Sequence, residues 1–181
     1  MTARPGAPPP LPQPEPFTDS LLQTIYDVLD RRQKSAGAAT EASNDQPQGN
    51  ALEGARVLVA EDMEINAEIL IDLLEMEGVS AEHAENGRIA VEMFSGRPEH
   101  YYDAVLMDVR MPEMDGLEAT RAIRGLDRPD AKTVPIIAMT ANAFDEDVQR
   151  SLQAGMTAHL SKPVEPERLL ETLGKLIHSR E

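Results

Sequence analysis

The chain has 181 residues, a formal net charge of −15, and neither cysteine nor tryptophan. So much acid repels phosphate backbones and argues against direct nucleic-acid binding, while the missing thiols exclude disulfides, thiolate metal sites and a cysteine nucleophile. Hydrophobic residues make up 41% of the chain and aromatics 3%, so one aliphatic, methionine-filled core is expected.

Residues 1–16 hold seven of the 14 prolines and read as a solvated, polyproline-like tail. Pro5, Pro8, Pro9 and Pro10 stand where a signal peptide would carry its apolar stretch. No run approaches the roughly 20 apolar residues that span a bilayer, so the chain has no membrane segment by this reading and a cytoplasmic location is expected. A short amphipathic helix is expected over residues 18–32. Thr18 can cap it, Phe17 and Leu22 can staple its start, and Leu21, Ile25, Val28 and Leu29 share one face. At that length it is marginal alone, which suggests docking on a partner or dimerisation. Residues 35–53 have linker composition, so the expected organisation is tail, helix and linker over 1–53 and one domain over 54–181.

From Arg56 onward, β-like runs begin near residues 56, 80, 104, 135 and 158. Helical stretches alternate with them at about 64–77, 87–95, 116–125, 145–154 and 165–178. The first, third and fourth runs are almost wholly apolar, as in strands buried on both faces. Ser80-Ala81-Glu82-His83-Ala84 alternates and is expected at a sheet edge. Such alternation implies βαβ units. The expected fold class is α/β: a flavodoxin-like, doubly wound (βα)5 parallel sheet, with the strand order 2-1-3-4-5 borrowed from that fold.

Chemistry gathers at the strand ends. Val57-Leu58-Val59-Ala60 runs into Glu61-Asp62, Val105-Leu106-Met107 into Asp108, Ile136-Ile137-Ala138-Met139 into Thr140, and Leu160-Ser161 into Lys162-Pro163. The carboxyl ends of parallel strands line one crevice. Three carboxylates there suit a hard dication such as Mg²⁺. A hydroxyl and an ammonium beside them suit a phosphoryl group.

Those motifs, with Met111-Pro112-Glu113-Met114-Asp115-Gly116, Thr140-Ala141-Asn142-Ala143 and Ala154-Gly155-Met156, resemble a response-regulator receiver domain. The style is closest to receivers of hybrid sensor histidine kinases, and the motifs span about two-thirds of the chain in the family's order. The resemblance implies that Asp108 is the phosphoacceptor of a two-component phosphorelay. Asp62 and Asp108 would bind Mg²⁺ directly, the Arg110 backbone carbonyl would be a third ligand, and Glu61 would bind through water. Lys162 would pair with Asp108 and then with the phosphoryl oxygens, and a cis peptide would precede Pro163. Thr140, helped by the Ala141 N–H, would take a phosphoryl oxygen and act as a switch with His159, where Tyr or Phe is more usual. Arg110 and Asn142 would tune dephosphorylation. A histidine kinase or a phosphotransfer histidine domain would be the donor.

By this reading the chain is not an enzyme beyond its own phosphorylation and dephosphorylation. With no output module after residue 178, it is either a stand-alone receiver or a fragment of a hybrid kinase. The alternative is a non-catalytic adaptor that uses the receiver as scaffold, although a scaffold needs none of Asp62, Asp108, Thr140 and Lys162. A phosphatase on a similar fold would need an acid or base on a cap insertion, for which the short loops leave no room. Met111 and Met114 read as packing residues, and His83, His100 and His178 as surface groups.

Overall fold

The structure, a computed structural model, describes residues 52–141 and 145–179. The Pro-rich tail, the helix expected over 18–32, most of the linker and Asn142 lie outside the described residues. The elements run β1 Arg56–Ala60, α1 Glu64–Met76, β2 Ser80–Ala84, α2 Gly87–Gly96, β3 Ala104–Asp108, α3 Gly116–Arg124, α4 Pro129–Thr133, β4 Ile136–Thr140, α5 Asp145–Ala154, β5 Ala158–Ser161 and α6 Pro166–His178. All strand pairs are parallel and the order is β2-β1-β3-β4-β5. The sheet therefore has the order expected from the flavodoxin-like fold, and β2 at its edge as the alternating sequence pattern predicts. The short helix α4 is an addition that the pattern does not show.

Strand alternation divides the core into two layers. Val57, Val59, Leu106, Ile137, Met139 and Leu160 face α1 and α6, against Leu70, Leu73, Leu74, Leu169 and Leu173. Leu52 packs in this layer too. Leu58, Ala60, Val105, Met107, Ile136 and Ala138 face the other way, onto Ala90 and Phe94 of α2 and Ala119 and Ile123 of α3. Every residue of β3 and β4 is buried, which explains why their sequences are continuously apolar. Each fully buried Leu or Ile contributes about 1.5–3 kcal/mol relative to exposure.

Local chemistry sets where the helices start. The Asn86 side chain accepts from the Ile89 N–H and caps α2. Asp115 and Glu118 form a reciprocal capping box on α3. Gly116 opens α3 directly beneath the end of β3: a Cβ there would lie 2.2 Å from the Asp108 carbonyl oxygen, so only glycine fits.

Arg128 clamps the far end of the molecule. It donates to the carbonyls of Phe94 in the last turn of α2 and of Arg97 and Pro98 just past it, and to both carboxylate oxygens of Asp130 at 2.7 Å. Asp130 also accepts from the His100 N–H. The hydrogen bond from Arg128 and then that from His100 hold the buried Asp130 carboxyl down at about 2, against the cost of burial.

Candidate functional site

The parallel register brings four strand ends, those of β1, β3, β4 and β5, to one level. Ala60 pairs with Met107, Asp108 with Met139, and Thr140 with Ser161. Glu61, Asp108, Thr140 and Lys162 therefore emerge together although they are spread over a hundred residues of chain. Glu61 is fully buried, Asp108 is 4% exposed, Thr140 is buried and Asp62 is exposed. Single carboxylate oxygens of Glu61, Asp62 and Asp108 all lie within 4.8 Å of one another.

Lys162 ties the cluster together. Its Nζ donates to Glu61 Oε2 at 3.0 Å and to Asp108 Oδ2 at 2.8 Å. Its backbone N–H donates to the Thr140 carbonyl at 2.7 Å, which carries the sheet's pairing one residue beyond β5. The Lys162–Pro163 peptide is cis. The remaining oxygens are held by backbone. Glu61 Oε1 accepts from the Met63 N–H at 3.2 Å, and Asp108 Oδ1 accepts from the Arg110 N–H at 3.1 Å.

The charges in this cluster do not balance. Three carboxylates share one ammonium. Burial first, and then the charge of Asp108, push the Glu61 carboxyl up to about 7, against the opposing pull of Lys162. Burial disfavours the Lys162 charge, but its hydrogen bond to Asp108 and the charges of Asp108 and Glu61 outweigh that and raise its pKa. A site with surplus, clustered oxygen donors and one exposed carboxylate at its mouth fits a small, hard dication. Beside it an open cleft of about 490 Å³ is lined by Asp62, Arg110, Met111, Asp147 and Arg150, among others.

Residues 57–174 match the family model of the response regulator receiver domain. The chain belongs to the response-regulator receiver family. Two kinds of relative flank this receiver. A probable histidine kinase 2 of Oryza sativa subsp. indica is 38% identical over 133 residues, which are 67% of this chain but 13% of the kinase. The polar-differentiation response regulator DivK of Brucella anthropi is 36% identical over 117 residues, covering 65% of this chain and 91% of DivK. The chain thus spans a small fraction of the kinase and nearly all of DivK. Among solved structures, the receiver domain of a sensor histidine kinase from Pseudomonas aeruginosa PAO1 has 38% identity and a TM-score of 0.62. The match covers 69% of this chain and 98% of that one, which holds a magnesium ion coordinated in its active-site cleft.

The structure thus brings Glu61, Asp62, Asp108, Thr140 and Lys162 to one end of the sheet. His159 is exposed on β5, and Met111 and Met114 pack against the core. His83 is not a surface group: it is half-buried and its Nε2 lies 2.8 Å from the Glu61 carbonyl oxygen. Sequence reasoning missed this because the contact is to main chain, 22 residues away, and has no motif.

Proposed function

We propose that this receiver accepts a phosphoryl group on Asp108 from the phosphohistidine of a histidine kinase or a phosphotransfer domain. The observation that carries this reading is the Lys162 ammonium held between buried Glu61 and Asp108 at the ends of three parallel strands. An Asp108 oxygen forms the new O–P bond while the P–N bond to the donor imidazole breaks, and the imidazole nitrogen keeps the electron pair and takes up a proton. Asp62 and Asp108 would hold Mg²⁺, with the Arg110 carbonyl as third ligand and Glu61 acting through water. When bound, the ion supplies the positive charge that lets an anionic carboxylate meet an anionic phosphoryl group.

Lys162 keeps the Asp108 carboxylate in place and then follows the charge onto the phosphoryl oxygens. Thr140 donates its hydroxyl to one of those oxygens, helped by the Ala141 N–H, and biases α5, β5 and α6 toward a second arrangement in which His159 changes environment. Arg110 and Asn142 set how readily water reaches the acyl phosphate. No helix among the described residues is long and apolar enough to cross a membrane; a cytoplasmic setting is the one in which this relay operates.

Acetyl phosphate with Mg²⁺ is expected to add one phosphoryl group, seen by intact mass. Asp108→Asn is expected to abolish the addition. Full labelling of that variant would sink the assignment.

A further inference from the structure

His83 stands outside this machinery. It lies in β2 opposite Val59 of β1, and its Nε2 reaches the Glu61 carbonyl oxygen at 2.8 Å. A carbonyl only accepts, so the ring carries a proton on Nε2. The Glu61 N–H in turn donates to the Ala84 carbonyl at 3.1 Å. Two adjacent residues of β2 therefore grip both backbone groups of Glu61. The Glu61 carbonyl shares one planar peptide with the Asp62 N–H, so fixing the carbonyl fixes the direction in which Asp62 leaves the strand. Asp62 depends on such fixing. Glu61 and Asp108 are held through their side chains by Lys162, whereas the Asp62 carboxylate is exposed and, among the described residues, receives no hydrogen bond or ion pair.

We propose that His83 is a positioning residue of the metal subsite: its Nε2–H holds the Glu61–Asp62 peptide plane and so aims the Asp62 carboxylate at an ion shared with Asp108. The inference rests on the Mg²⁺ reading given above. A neutral backbone hydrogen bond of this kind has a net value near 1 kcal/mol, so its loss corresponds to about 3- to 10-fold in affinity.

The test is a Mg²⁺ titration of the whole chain followed by amide NMR, with the imidazole nitrogens observed in parallel. In the wild-type protein the neutral His83 ring is expected to show the Nε2–H tautomer. His83→Phe, which keeps a flat ring but has no donor, is expected to weaken Mg²⁺ binding about 3- to 10-fold with little change in Tm. His83→Gln, whose amide can donate, is expected to restore the affinity to within about two-fold. An Nδ1–H tautomer, or a His83→Phe variant that binds Mg²⁺ as the wild type does, would overturn the inference and leave the metal reading intact. Wild-type protein with no Mg²⁺-dependent shift around Asp62 would overturn the metal reading, and this inference with it.

Discussion

At the scale of single residues, the sharpest dependence is between Arg128 and Asp130. Asp130 is 1% exposed and its charge has Arg128 as its ion-pair partner. Arg128→Ala strands a buried carboxylate and also releases three carbonyls, so it is expected to cost roughly 3 kcal/mol in urea unfolding. Acid should weaken the same pair. The folded pKa of Asp130, about 2, lies below its ordinary value of 3.8. The unfolded chain therefore takes up the proton first on acidification, and the pair's stabilisation is present above the ordinary value and fades as pH falls toward the folded one. Asp130→Asn should thus differ from wild type at about pH 6 and converge on it only as the pH falls to about 2; a constant difference would show that the charge is not what matters. Gly116→Ala is a steric counterpart. Its Cβ would meet the Asp108 carbonyl oxygen at 2.2 Å, and backbone shifts that relieve such overlap cost typically 1–3 kcal/mol. Because the displaced backbone is that of Asp108, labelling by acetyl phosphate should fall further than stability does.

At the scale of elements, the alternation of strands and helices was legible because each central strand is sandwiched and has no polar side to show. β3 and β4 could be read for that reason, and β2 because its edge position keeps the polar Ser80, Glu82 and His83 exposed or only partly buried. The carboxylates and Lys162 were legible by position alone, since parallel strands must deliver their last residues to one end. α4 was not, because five residues make little more than one turn and leave no period to detect. The contacts of His83, Arg124 and Arg128 were equally hidden: each reaches backbone carbonyls, and any residue offers those. Arg124 shows what such contacts do. From α3 it donates to the Gly155 carbonyl beyond α5 and to the Ala131 carbonyl in α4, both at 3.0 Å. Arg124→Ala is expected to cost about 1–2 kcal/mol and to raise amide exchange selectively in α5 and the turn at Gly155. Uniform acceleration across the sheet would show that Arg124 supports the whole core rather than that joint.

At the scale of the whole molecule, the net charge of −15 and the uncompensated carboxylates act in the same direction. Mg²⁺ is expected to raise the melting temperature of the wild-type chain, and Asp62→Ala to remove most of that gain; an equal gain in the variant would place the effect on general surface acidity. The boundary of the folded unit can be probed similarly. A chain shortened to begin at Leu52 is expected to fold and to be labelled on Asp108. Beginning at Gly54 instead removes Leu52, which is 5% exposed in the core, and should lower stability by about 1.5–3 kcal/mol.

The ion pairs of Lys162 also bear on when this site comes into being. Its two carboxylate partners lie 101 and 54 residues earlier in the sequence. Contacts over such separations must first overcome the entropy of closing the intervening chain, which slows their formation. Strands β1 and β5 must both be docked before the ammonium can reach the acids. A partly folded or nascent chain that has β1, β2 and β3 in place already holds the three carboxylates close together, with no lysine among them. Charge capture would therefore report completion of the sheet: only a chain folded through β5 places the Lys162 ammonium beside Asp108, so on the proposed reading a folding intermediate would lack the complete acceptor site.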